Sequence, residues 1–334
     1  MSTLFSPLTL RSCMVPNRIA MPPMASETGT ESGTVTDATI DYYVARARAG
    51  VGLVIAEHTY VTCRGRRSRN QLAIYSDNHV PGLTKLADAV KREGSIVGIQ
   101  ITHAGASARG ELIGCTPEAP SNVAIPGQSV VPEAISIEAI PDLQKAFVEA
   151  AVRARNAGFQ MVELHGAHGY LLNEFLSPLT NTRSDGYGGS RDGRLRFALE
   201  LTEQVREAIG PDTILAYRLG ADDGMPGGLT LHDTCWAAPK LVEAGVDFLD
   251  ISGGLSGSGR GLEAAEGYFT HLSDAIRRVV KVPVMVTGGI VNPSTANAII
   301  ESGKADVVGI GRAMLSDAGW AYKAKLELCT DNVN

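Results

Sequence analysis

Two histidines and a tyrosine, His165, His168 and Tyr170, fall within six positions in the stretch HGAHGYLLNEFLSP, which follows the apolar run Met161-Val162-Glu163-Leu164. Side chains of these types at this spacing leave three chemistries open. The imidazoles could ligate a metal, could be satisfied structural histidines, or could act as neutral donors aimed at one oxygen. A metal needs a third ligand beside the pair, and we expect none. As donors, two N–H groups on one carbonyl oxygen stabilise the negative charge that develops there, while Tyr170 supplies a proton to an adjacent carbon. Tyrosine suits that transfer, because an ordinary pKa of about 10 keeps it protonated at neutral pH until a carbanion-like centre forms.

A second constellation lies toward the other end of the chain, where Gly288-Gly289 and Gly311-Arg312 each close an apolar run. Consecutive glycines let the backbone approach an anion and donate its N–H groups, and a guanidinium pairs with phosphate oxygens through two donors. The plainer reading is a tight turn at the glycines and a surface charge at Arg312.

Eight short apolar runs recur along the chain: 19–24, 53–57, 96–102, 161–165, 214–219, 248–252, 282–287 and 306–310. Each is nearly continuous in Val, Ile, Leu, Met and Ala instead of alternating, as expected of strands buried on both faces of a parallel sheet. Between them, segments 42–49, 81–93, 143–157, 191–209, 231–244, 270–280 and 294–302 carry apolar residues spaced by three or four. Gly50, Gly94, Gly158, Gly210, Gly245 and Gly303 stand where left-handed helix caps would fall. Strand and helix in such repetition specify an α/β fold, a single (β/α)8 TIM barrel over residues 1–334, more naturally than an open doubly wound sheet. No G-x-G-x-x-G follows the first strand, so a dinucleotide fold is unsupported. The long gap from Gly105 to Ile140, rich in Pro, Gly, Ser and Ala, predicts a rim excursion or lid after the third strand.

In a barrel of this kind the chemistry sits at the C-terminal ends of the strands. Those ends carry Pro23-Met24-Ala25, then Glu57-His58, Gln100 to His103, the His165–Tyr170 group, Arg218 and Ser252. Barrel phosphate sites form after strands seven and eight, which is where the Gly288-Gly289 pair, Gly311 and Arg312 fall.

Composition narrows the function. With 44% hydrophobic residues, 20% charged residues and 37 glycines in 334, the chain has the profile of a globular enzyme. A net charge of −6 and a pI near 5.7 argue against sequence-independent binding to nucleic acid or to an anionic membrane. Five dispersed cysteines with no C-x-x-C pair signal neither a zinc or cluster site nor a disulfide framework, and the chain reads as cytoplasmic. No run approaches the roughly 18 apolar residues of a membrane helix. Small-molecule chemistry is expected.

These residues in this order resemble the old yellow enzyme family of flavin mononucleotide (FMN) reductases, from about Leu4 to Trp320. The blocks NRIAMPPM at 17–24, GIQITHAG at 98–105, ELHGAHGYLLNEFLSPLTNTRSDGYGGS at 163–190 and GIGRAM at 309–314 carry the likeness. It implies FMN across the barrel mouth, with its phosphate at Gly288, Gly289, Gly311 and Arg312. Gln100 and Arg218 match positions that hydrogen-bond the isoalloxazine, and Pro23, Met24 and Ala25 match the backbone beside the ring. His165 and His168 match the pair that grips the substrate's activating oxygen, and Tyr170 matches the proton donor. By the same resemblance NADPH or NADH is the reductant, the substrates are α,β-unsaturated carbonyls or similarly activated alkenes, and the chain is expected to form a dimer or tetramer.

Some positions depart from the family pattern. Ala25 replaces the threonine or cysteine that touches the flavin edge in many members, and Glu27 falls where one branch has a tyrosine. His58 takes a position usually filled by a small residue close to the ring, and could face the cofactor or point away into packing. The loop CRGRRSRN at 63–70 is either a solvated charge run or a contact for the 2′-phosphate of NADPH or a neighbouring subunit. Enlarged relatives add an iron–sulfur cluster and further domains; only 14 residues with one cysteine follow Trp320, so electrons are expected directly from a nicotinamide. Two other readings compete: an FMN barrel of the dihydroorotate dehydrogenase type, whose lid base we cannot place, and a binding barrel without turnover, which has no need of the His-His-Tyr group.

Overall fold

A computed structural model describes residues 2–258 and 265–330. Eight parallel strands, β1 (Ile19–Met21), β2 (Leu53–Tyr60), β3 (Ile96–Thr102), β4 (Met161–Gly166), β5 (Ile214–Gly220), β6 (Phe248–Ser252), β7 (Val284–Val286) and β8 (Val307–Gly309), close into a barrel in chain order. The expected (β/α)8 architecture is therefore the one observed. Around it run α1 (Asp37–Arg48), α2 (Val80–Arg92), α3 (Ile140–Asn156), α4 (Arg191–Ile209), α5 (Leu231–Glu243), α6 (Thr270–Arg277), α7 (Pro293–Glu301) and α8 (Trp320–Thr330). The last of these lies beyond the segments that the sequence pattern marks as helical.

The near-continuous apolar strands are explained by burial on both sides. Outward residues such as Ile19, Val54 and Val162 join the helices in one core, while Ala20, Leu53, Ile55, Ile96, Met161, Ile214, Phe248, Met285 and Val307 fill the barrel interior. A hairpin of Leu8–Leu10 with Cys13–Val15 adds Leu10 and Val15 to that inner cluster and so plugs one end. Because side chains alternate across a strand, the inward positions run from apolar to polar along each strand: Ile96, Gly98, Gln100 in β3; Met161, Glu163, His165 in β4; Ile214, Ala216, Arg218 in β5; Phe248, Asp250, Ser252 in β6. The functional layer is thus the top of the same inward-facing column that packs the base.

In β2 the alternation breaks. The strand continues to Tyr60, past the end expected at His58, and its register against β3 shifts between Ala56 and Thr59. A bulge adds one residue and re-aims the side chains after it. Glu57 consequently turns out toward α1, where Tyr43 Oη donates to it at 3.3 Å, and His58 takes the inner side.

Residues 105–140 form a rim excursion with small elements of its own: a 3-10 turn at Gly105–Ser107, a short helix at Gly110–Ile113 and a two-residue pairing of Glu118–Ala119 with Glu133–Ala134. Arg64 ties it to the β2 loop through Glu118 at 2.7 Å and Glu133 at 3.6 Å, and the buried His103 lies 3.2 Å from Glu118 Oε1. Among the described residues no helix is long and apolar enough to cross a membrane.

Candidate active site

At the C-terminal ends of the strands opens a cavity of about 680 Å³, within the range of small-molecule and cofactor sites. The residues expected to hold the flavin or to do the chemistry border it: Pro23, Met24, Ala25, His58, Gln100, His165, His168, Tyr170, Arg218, Gly288, Gly289, Gly311 and Arg312. His58 is thereby placed in the cavity wall and not in packing, with its ring centroid 5.8 Å from that of Tyr170.

The His-His-Tyr group is held by the six residues that come directly after it. All of the short helix Leu171–Leu176 is buried; Asn173 Oδ1 accepts from Gly169 N at 2.8 Å, and Glu174 Oε1 accepts from Ala106 N at 2.8 Å. Between these anchors His168 adopts a left-handed backbone with φ of 62°, and its N–H donates to Gly253 O at 3.2 Å. A non-glycine residue there costs on the order of 1 kcal/mol or more and persists only when its surroundings impose it. Gly166 is required for a different reason, since a Cβ would stand 2.3 Å from the Tyr217 ring. The result is a compact cluster in which the His165 ring meets those of His168 at 5.1 Å and Tyr170 at 4.8 Å, both edge-on. His168 Nε2 lies 2.7 Å from Ser252 Oγ, whereas His165 Nδ1 is buried with no hydrogen-bond partner in the protein. A buried polar atom of this kind is normally satisfied by something, and in the protein alone this one is not.

The electrostatics suit neutral donors. Burial pushes both His165 and His168 well below the ordinary histidine range, with Arg218 and neighbouring histidines adding to the effect. Burial likewise takes His58 down to about 4, although Glu27 opposes it. Tyr170 is pushed up by burial against the pull of Arg67, so its hydroxyl stays protonated. At neutral pH the site offers imidazole N–H groups and a phenol, not imidazolium.

Across the cavity, Gly288 and Gly289 have φ of 131° and 67°. A Cβ on Gly289 would lie 2.8 Å from the ring of Tyr268 and 3.4 Å from Arg312 Nη2, so glycine keeps the wall beside the guanidinium open. Arg312 Nη2 donates to Tyr268 Oη at 2.9 Å, and Tyr268 Oη donates to Ser258 O at 2.8 Å. Tyr268, Glu266 and Ser258, all from the loop between β6 and α6, line the cavity and were missed in the sequence. They sit inside a loop, away from any strand end, and no spacing marks them.

The loop that carries Pro23, Met24 and Ala25 is pinned by Glu57, which accepts from Ser26 N at 3.2 Å and from Ser26 Oγ. Burial raises Glu57 to about 7, with the Ser26 and Tyr43 hydrogen bonds opposing. A carboxyl whose folded pKa lies above its unfolded value stabilises fully below the unfolded pKa and loses that contribution as pH rises through the folded one. Glu57 should therefore weaken the fold between its ordinary value of 4.5 and about 7, by about 3 kcal/mol at 1.36 kcal/mol per pKa unit. Glu57→Gln is expected to flatten the fall in thermal midpoint across that window, as read by calorimetry at a series of pH values; a slope equal to wild type would contradict it.

The basic loop divides its arginines among separate tasks. Arg66 donates to the backbone carbonyls of Glu31, Ser68 and Arg69, and Arg69 pairs with Glu31. Arg67 faces Tyr170. Glu27 accepts from Ser68 Oγ and Asn70 N of this loop and stands outside the cavity wall. Among the described residues no three His, Cys, Asp or Glu side chains group as metal ligands.

The model of the family described as NADH:flavin oxidoreductase / NADH oxidase matches residues 3–331. An NADPH dehydrogenase of Geobacillus sp. (strain WCH70) is 40% identical over 330 residues, 98% of this chain and 95% of that protein. An NADH oxidase of Thermoanaerobacter brockii is 41% identical over 328 residues, 96% of this chain, which spans only 50% of that protein's length. The solved old yellow enzyme homologue from Zymomonas mobilis has a TM-score of 0.83 at 27% identity, over 99% of this chain and 93% of the other. Barrel and comparisons together define a flavin-dependent NAD(P)H oxidoreductase. The chain belongs to the NADH:flavin oxidoreductase / NADH oxidase family, that of the old yellow enzymes, with FMN as cofactor and NADPH or NADH as reductant. The residues present fit FMN: a cavity of suitable size, glycines where side chains would close the wall beside Arg312, and polar groups from four strands beneath.

Proposed function

We propose that this protein is an ene-reductase acting on α,β-unsaturated carbonyls and similarly activated alkenes. In this reading FMN, when bound, supplies hydride transfer from NAD(P)H to the alkene β-carbon. Gln100 and Arg218 would hold the isoalloxazine, Pro23, Met24 and Ala25 would run beside it with His58 at its edge, and Gly288, Gly289, Gly311 and Arg312 would hold the phosphate. His165 and His168 present N–H groups to the substrate oxygen and stabilise the charge that gathers there. Tyr170 gives its hydroxyl proton to the α-carbon. The observation that carries the proposal is the edge-on packing of these three rings at the cavity, with His165 Nδ1 buried and unpartnered in the protein.

The test is anaerobic. NADPH or NADH should bleach the yellow protein, and cyclohexenone or a maleimide should restore the colour. Reduced protein that is reoxidised by oxygen but by no activated alkene would end the proposal. Residence in the cytoplasm and assembly as a dimer or tetramer belong to the same proposal, and sedimentation velocity decides the assembly.

The phosphate placement makes its own prediction. Hydrogen bonds from a charged donor are worth about 2 kcal/mol, which is about thirtyfold in a dissociation constant. Arg312→Met should weaken FMN binding to the apoprotein by that factor and leave riboflavin, which lacks phosphate, unaffected. Equal losses for the two flavins would move the phosphate elsewhere.

A further inference from the structure

Four consecutive strands each point one polar side chain into the barrel just under the cavity: Gln100 from β3, Glu163 from β4, Arg218 from β5 and Asp250 from β6. All are buried, the most exposed being Arg218 at 5%. Gln100 and Arg218 reach the cavity wall; Glu163 and Asp250 do not, and so lie beneath them. Gln100 Nε2 donates to Glu163 Oε1 at 2.8 Å. Arg218 Nε stands 2.9 Å from Asp250 Oδ2, close enough for an ion pair though off-line for a hydrogen bond.

The layer holds two carboxyl groups and one cation, and the two carboxyls are not equivalent. Asp250 pairs with Arg218 across neighbouring strands at matched register, while the partner of Glu163 is a neutral amide. An ion taken into a protein interior costs several kcal/mol unless it is paired, so the group without a cation keeps its proton. The titration tendencies agree: burial and then the charge of Asp250 push Glu163 well above the carboxylate range despite the opposing pull of Arg218 and of the Gln100 hydrogen bond, whereas Asp250 rises only to about 6, with Arg218 opposing its burial. With Glu163 holding the amide nitrogen of Gln100, the amide oxygen and the remaining N–H of Gln100 are left for the cavity.

We propose that Asp250 and Glu163 are positioning residues with different tasks: Asp250, as a carboxylate, offsets the Arg218 charge and holds the FMN midpoint potential down, while Glu163, as an uncharged acid, fixes the Gln100 amide. The inference rests on the placement of the flavin ring over this layer. Reduced flavin gathers negative charge at its pyrimidine edge, so Arg218 favours the reduced form and Asp250 limits that preference.

The experiment measures the midpoint potential of the FMN-loaded protein by equilibration with a reference dye, together with the affinity of the apoprotein for oxidised FMN. Asp250→Asn removes the negative charge at constant shape and should raise the ratio of reduced to oxidised FMN affinity about tenfold, or about 30 mV for a two-electron couple. Glu163→Gln replaces a neutral group by a neutral group and should leave the potential at the wild-type value. A potential in Asp250→Asn that is unchanged or lowered overturns the proposal, as does a shift in Glu163→Gln equal to that in Asp250→Asn. Should Asp250→Asn not fold, infrared difference spectra of the apoprotein still decide the protonation: one protonated-carboxyl band of the wild type should be lost in Glu163→Gln while those of other buried carboxyls such as Glu57 and Glu174 stay, and a difference spectrum with no lost band would be fatal. Misplacement of the flavin gives a different signature, in which Arg218→Met leaves both FMN affinity and potential untouched.

Discussion

Tyr170→Phe should leave the reduction of bound flavin by NADPH at the wild-type rate while slowing reoxidation by an enone about 10²-fold or more, the usual loss when a general acid is removed. Phenylalanine keeps the ring that meets His165 at 4.8 Å and His58 at 5.8 Å, so the packing of the mouth survives while the proton and the hydroxyl's hydrogen bond with Arg67 are lost. No proton from this residue is needed while the nicotinamide donates, which is why the first half-reaction should be silent. Burial raises the Tyr170 pKa from its ordinary value of 10.0, so the wild-type reoxidation rate should show no alkaline decline assignable to this group below about pH 10. Stopped-flow traces of the two half-reactions separate the outcomes. Equal rates of enone reoxidation in the Tyr170→Phe variant and the wild type would transfer the acid role to another group or to water.

Much of this site is legible in the amino-acid order because a barrel converts one-dimensional information into position. An apolar run that is buried on both faces announces a strand, the point where it gives way to polar residues announces the mouth, and parity along the strand says which polar residues look inward. Gln100, Arg218 and His165 were legible as strand ends, and the structure sets them two or four residues beyond Gly98, Ala216 and Met161 on the inner side. The same rules fail where the chain leaves the regular lattice. His58 reaches the cavity because a bulge in β2 reverses parity after Ala56, and no residue type at 56–59 signals that extra step. Tyr268 and Ser258 belong to a loop, whose path is set by tertiary contacts such as the Tyr268 hydroxyl on Arg312. Glu57 was visible as a strand end, but its task of pinning Ser26 depends on α1 delivering Tyr43 to the same carboxylate. Glu163 and Asp250 look, in sequence, like polar interruptions of apolar strands; only the register that sets Arg218 opposite Asp250 shows why they are tolerated.

The largest loss is expected when alanine replaces both His165 and His168. Removing one preorganised donor from a developing oxyanion lowers turnover by about 10²–10³-fold, and the pair acts on one atom, so the double variant should lose at least as much as either single one without the two effects multiplying. Phenol affinity of the oxidised protein should fall with it, because a phenolate oxygen occupies the same two donors; a calorimetric phenol titration reports this without turnover. Reduction by NADPH and FMN affinity should change little in comparison, which distinguishes lost donors from a collapsed mouth. The pH dependence separates the neutral from the charged form of these rings. Since burial holds both histidines well below their ordinary range, wild-type enone reoxidation should stay level from pH 8 down through about 6.5, where an unperturbed histidine would gain its proton. A rate that climbs on acidification through that value would mean that imidazolium, not imidazole, faces the substrate oxygen, and the assignment of His165 and His168 as neutral donors would fall.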